Sequence, residues 1–153
     1  MIPYELLPTE RDFDPLSGDA DAQRAWEHFG GLTLDEAHAK FRKNPLYYQE
    51  DFMFMGGKAF AYYFPVLERH LTTVPDSNSD GEDHESWILA HCIKMQFCSK
   101  TAHHVLHLKQ RVFALSAFVL QNIRRFSFDT DGQRRVADAW AELETHLATV
   151  TQE

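Results

Sequence analysis

Along the C-terminal half of the chain, apolar positions return every three or four residues, the spacing that gives a helix one buried stripe. Ile88, Cys92 and Met95 begin the pattern, and Val105, Leu108, Val112, Leu115, Val119 and Ile123 continue it. Neither Gly nor Pro occurs between Gly81 and Gly132. One helix over 84–125 would be about 60 Å long, beyond the width of a domain of this size. A break between Ser99 and Gln110 is therefore predicted, leaving two antiparallel neighbours. The last helix is the clearest: Thr130 or Asp131 caps it, and Val136, Trp140, Leu143, Leu147 and Val150 alternate spacings of four and three, an a/d stripe.

The N-terminal half is more punctuated. Residues 1–19 carry Pro3, Pro8, Pro15 and Gly18 among acids and read as an irregular acidic arm that wraps or frays. Asp19 or Asp21 caps a short helix through Trp26 and Phe29, which Gly30 and Gly31 stop. Thr33 and Glu36 form a capping-box pattern; the helix it opens carries Ala37 and Phe41 inward and ends before Asn44-Pro45. Residues 46–55 are aromatic without a period and read as a packed loop or single turn. From Lys58 the spacing of Phe60, Tyr63, Phe64, Leu67 and Leu71 is helical with Pro65 inside it, which predicts a kink or a second helix starting there. No segment alternates as a strand does. The expected fold is mainly α, a single-domain bundle of five to seven helices over 20–153, with the arm in front and an acidic loop near 75–85.

Composition narrows the class. The chain has 153 residues, room for one core, and 44% hydrophobic against 25% charged residues marks a globular protein. Two cysteines make no disulfide framework, and no signal-peptide pattern or apolar run of membrane-spanning length is present, so a cytoplasmic protein is expected. The net charge of −8 argues against nucleic acid as a partner. That charge is unevenly spread. Residues 1–36 hold nine acids and two arginines, 76–85 hold five acids and no base, and 86–128 hold six Lys and Arg and no acid. The arm and loop can neutralise the basic helices, or the two signs can face different partners.

Candidate chemistry is sparse. Asp76, Asn78, Asp80 and Gly81 match the first half of an EF-hand loop, but position 12 is Trp87 where a bidentate Glu is needed, so a solvated acidic loop is the better reading. The segment 127–132 echoes it less well, and its acids suit a helix cap. Cys92, Cys98, His103 and His107 crowd one stretch, and His103 and His107 are spaced for one helical face. The cysteine spacing is not that of a zinc site, however, and Cys92 lies on an apolar stripe. No metal or cofactor is expected. Phosphate-binding loops, dinucleotide fingerprints and nucleophile elbows are all missing, so a binding protein is expected rather than an enzyme.

The densest feature is aromatic: Phe41, Tyr47, Tyr48, Phe52, Phe54, Phe60, Tyr62, Tyr63 and Phe64 fall within one short segment. Most belong in the core. Tyr47, Tyr48, Glu50 and Asp51 combine amphipathic rings with carboxylates in a loop, the composition of a partner surface, and Asp80, Glu82, Asp83 and Glu85 add a second acidic segment.

The stretch Leu34-Asp-Glu-Ala, Phe41, Leu46-Tyr-Tyr-Gln-Glu-Asp-Phe-Met-Phe-Met and Ala59-Phe-Ala-Tyr-Tyr-Phe-Pro65 resembles small helical bacterial proteins of unassigned function, some of them suspected immunity partners of secreted antibacterial toxins. The resemblance implies a cytosolic protein that neutralises a partner by occlusion. In its sharpest form it is an immunity protein facing a basic toxin domain encoded beside it, with acidic segments steering association. The alternatives are a metal-binding helical protein using the Cys/His cluster, and a helical adaptor or homo-oligomer using the last helix.

Overall fold

A computed structural model describes residues 7–73, 86–127 and 129–150. Among these residues every regular element is helical. Six helices have ten residues or more: α2 (Ala20–Phe29), α3 (Leu34–Lys43), α6 (Gly57–Thr72), α7 (Ser86–Cys98), α8 (Lys109–Gln121) and α9 (Thr130–Thr149). Three single-turn helices complete the set: α1 (Glu10–Phe13), α4 (Pro45–Tyr48) and α5 (Asp51–Phe54). The expected mainly α bundle is the fold. No described helix is long and apolar enough to cross a membrane.

Helix ends follow their side chains closely. Asp19 caps α2 by accepting from Asp21 N and Ala22 N, and the helix stops at Gly30. Thr33 and Glu36 form the reciprocal capping box of α3, which ends at Asn44 before Pro45. Asp129, ahead of the expected caps Thr130 and Asp131 by one and two residues, caps α9 through the Gly132 N–H at 2.6 Å. Its carboxylate reaches that orphan donor from outside the helix, where a cap must stand.

The arm wraps. Thr9 and Asp12 make a capping box around α1, Phe13 is fully enclosed, and Gly56 N donates to Phe13 O at 2.8 Å. Residues 46–55 coil into α4 and α5, with Pro45 in the first turn of α4, where its missing N–H is no loss. Helix α6 runs as one element through Pro65, and no second helix starts there. Phe60, Tyr63, Phe64, Val66, Leu67 and Leu71 on both sides of the proline are enclosed against α1, α3 and α8, and this packing outweighs one missing backbone hydrogen bond.

The stretch after residue 86 breaks where expected, between Cys98 and Lys109, with 3-10 turns at Ala102–His104 and Leu106–Leu108. The two halves do not pack as antiparallel neighbours; α7 and α8 each lie against α9. The connection is long enough for α9 to take the place beside both. Because α7 packs against α5 as well as α9, its buried set is Leu89, Ala90, Cys92, Ile93, Gln96 and Phe97, while Met95 is exposed, so the single stripe read through Ile88, Cys92 and Met95 is too narrow. The α9 stripe of Val136, Trp140, Leu143 and Leu147 is consumed inside the bundle.

Edge-to-face rings fill the core near α2, α5 and α6: Phe29 on Phe52 and Phe41 on Phe52, each with centroids 5.4 Å apart. Tyr63 buries its ring there and donates its hydroxyl to Phe29 O at 3.0 Å and Leu32 O at 2.7 Å, satisfying carbonyls at the end of α2.

Candidate functional site

Helix α2 buries Ala22, Ala25 and Phe29. Asp21, Arg24 and His28, three and four residues apart, therefore share another face of the helix and line a cavity of about 300 Å³ with Leu46, Tyr47, Glu50, Asp51 and Phe54. The walls come from α2 on one side and from α4, α5 and the joint between them on the other.

At its centre His28 and Asp51 are paired, Nδ1 to Oδ2 at 2.6 Å. Burial pushes the Asp51 carboxyl above the usual carboxylate range, while the His28 hydrogen bond and the charges of His28, Arg24 and Lys40 pull it back. His28 is fixed by rings as well: Tyr48 meets it edge-on at 5.1 Å and Tyr47 lies 5.3 Å away. Lys40 closes the back by donating its Nζ to the His28 carbonyl, with its ammonium 5.6 Å from the Tyr48 ring.

The rim is apolar and open. Leu46 is 50% exposed, Tyr47 59% and Phe54 36%, large side chains that the fold leaves in water. Phe54 also borders a second groove with Leu16, Met53, Lys100 and Thr101. Leu16 at 68% exposed extends the same kind of surface. The lining offers an imidazole oriented by a carboxylate, with Tyr47 and Glu50 beside them and no Ser, Thr or Cys.

Of the sequence-predicted partner residues, Tyr47, Glu50 and Asp51 meet in this cavity. Tyr48 turns inward onto His28 and Phe29. Asp80, Glu82, Asp83 and Glu85, like the loop motif at 76–81, lie outside the described residues. Asp21, Arg24, His28, Leu46 and Phe54 are additions. The polar spacing on α2 was visible in the sequence, but nothing local pointed it at residues 46–54.

No protein-family model, curated protein or solved structure matches this chain.

The Cys/His candidates stay apart. Cys92 is enclosed on α7, and burial pushes its thiol up to about 12. Cys98 is exposed, with its Sγ 3.3 Å from His146 Nε2. His103 stacks on His104 and His107 lies in the next 3-10 turn, where a spacing of four no longer means one face. Among the described residues no group of three or more His, Cys, Asp or Glu side chains could hold a metal ion. Two cations of the basic helices find acids on α6 and α9: Arg111 bonds Glu68, and Lys94 bonds Glu142 at 2.8 Å. The arm's Asp12 faces Lys58 on α6 at 3.7 Å.

Proposed function

We propose that this chain is a cytosolic binding protein that neutralises a basic protein partner by occluding it, with the α4–α5 face as its docking surface. The observation that carries the reading is the juxtaposition of exposed Leu46, Tyr47 and Phe54 with the carboxylates of Asp21, Glu50 and Asp51. Large amphipathic and apolar anchors around a polar centre are what protein interfaces use for affinity, and net negative charge accelerates encounter with a basic surface. The resemblance of about residues 26–71 to suspected immunity proteins gives the reading its sharpest form, protection against a toxin acting in the cytosol.

Co-expression with the product of an adjacent gene tests it. Wild-type protein is expected to restore growth arrested by that product and to co-purify with it, while the double variant Y47S/F54S, altered only at exposed rings, loses both. Growth arrest that persists beside the wild-type protein overturns the proposal.

A further inference from the structure

The cavity beside His28 is lined by three carboxylates, those of Asp21, Glu50 and Asp51, against one guanidinium, that of Arg24, with the His28 imidazole on Asp51 and the Lys40 ammonium behind it as the other basic groups within reach. Asp51 is the telling member. Its side chain is only 7% exposed, His28 occupies Oδ2, and among the described residues Oδ1 accepts no hydrogen bond. The acceptor capacity of Oδ1 is left to solvent, where a donor carried by a guest can take it up. Oδ1 is also not among the side-chain oxygens sealed away from solvent, so a guest entering the cavity can reach it.

We infer that the cavity receives an arginine side chain presented by the protein partner. The inference rests on the α4–α5 face being the docking surface. Three carboxylates repel an anionic guest. A cationic one gains charge-assisted hydrogen bonds to Asp51 and Glu50 in a site already shielded from water. A guanidinium is favoured over an ammonium for two reasons of shape. It is planar and can give parallel N–H groups to one carboxylate, and it stacks on rings such as those of Tyr47 and Phe54 at the cavity wall. The cavity, about 300 Å³, has room for the whole side chain.

The probe is N-acetyl-arginine amide, titrated into isotope-labelled protein, with N-acetyl-lysine amide and sodium acetate in parallel. The expected result is a saturable shift of the Tyr47, Glu50 and Asp51 amides and of the His28 ring with the arginine amide, several-fold weaker binding of the lysine amide, and no saturable shift with acetate. D51N is expected to weaken the arginine amide by at least about tenfold. E50Q, at an exposed joint residue, gives the same direction should D51N fail to fold. R24Q strengthens binding by removing the competing cation. No saturable response to the arginine amide, a response insensitive to both carboxylate variants, or lysine amide binding as tightly would overturn the assignment. So would acetate saturation that R24Q abolishes, because the site would then be one for anions. A partner that needs Tyr47 and Phe54 while the free cavity ignores the arginine amide overturns this inference and leaves the docking surface standing.

Discussion

Gln96 on α7 donates its Nε2 to the carbonyl of Met55 at 2.7 Å, across a sequence separation of 41, and reaches Phe52 O at 2.9 Å with the same amide. The acceptors lie within α5 and at its C-cap, in a helix of four residues without a side-chain cap. So short a helix has no stability of its own, and its last carbonyls have no partner within it. The wall of the cavity that carries Asp51 and Phe54 is thus held in place from α7.

Replacing Gln96 by alanine should therefore leave two buried carbonyls unpaired. We expect a loss of about 1–3 kcal/mol in urea unfolding. Native-state hydrogen exchange should speed up at residues 51–55 more than in α6 or α9, and partner affinity should fall although no rim residue has changed. Uniform exchange across the bundle would show that the amide does not position α5.

The joint between α5 and α6 makes a second demand. A Cβ on Gly56 would stand 2.3 Å from Asp12 O, and one on Gly57 would stand 2.4 Å from Thr101 O. Both obstacles are backbone, and Gly57 N also donates to Thr101 Oγ1 at 2.8 Å. G56A and G57A should each cost roughly 1–3 kcal/mol, G56A by lifting the arm and G57A by displacing the turn at residue 101. Calorimetry checks the size; a Tm equal to that of the wild type would mean that the arm and turn yield freely.

How far the sequence could be read follows from the range of the forces involved. Asp19, Thr33 with Glu36, Gly30 and the α9 stripe act within one or two helical turns, and each was readable. The break after Cys98 followed from length alone. What escaped was set at long range: the passage through Pro65 as one helix, held by packing on three neighbours, and the burial of α7 on two faces. The site divides the same way. Tyr47, Glu50 and Asp51 declared themselves by composition, whereas His28, 23 positions from Asp51, joins them only because α2 packs on α5.

Thiol chemistry separates the two cysteines. Cys92 is enclosed, with its thiol pushed up to about 12 by burial and by the nearby Glu50 and Asp51 carboxylates, whereas Cys98 is exposed. The thiolate is the reactive form. A disulfide reagent should titrate one thiol in the native protein and the second only in denaturant. C98S should abolish the native reaction, and fast reaction of native C98S would show that α7 opens readily.

Acid should weaken the fold through a buried histidine, His38, and a half-buried one, His104. Burial, then Arg69 and Arg42, hold His38 below its usual 6.5 against the opposing pull of Asp35, and the His38 Nε2 has no hydrogen-bond partner. Burial, His103 and Lys58 lower His104 in the same way, with Asp12 opposing. A base whose folded-state pKa is depressed binds its proton more readily in the unfolded chain. Stability is then greatest above 6.5, falls as pH drops through the interval between the unfolded and folded values, and levels off below the folded one. Asp51 acts in the opposite sense: its raised carboxyl is protonated first in the native state, which offsets some of the loss further into the acid range. Urea midpoints measured at about pH 7.5 and about pH 5.5, either side of the usual histidine range, should decline for the wild type and decline less for H38Q, which cannot charge. An unchanged slope in H38Q would assign the acid sensitivity to His104 or to another group.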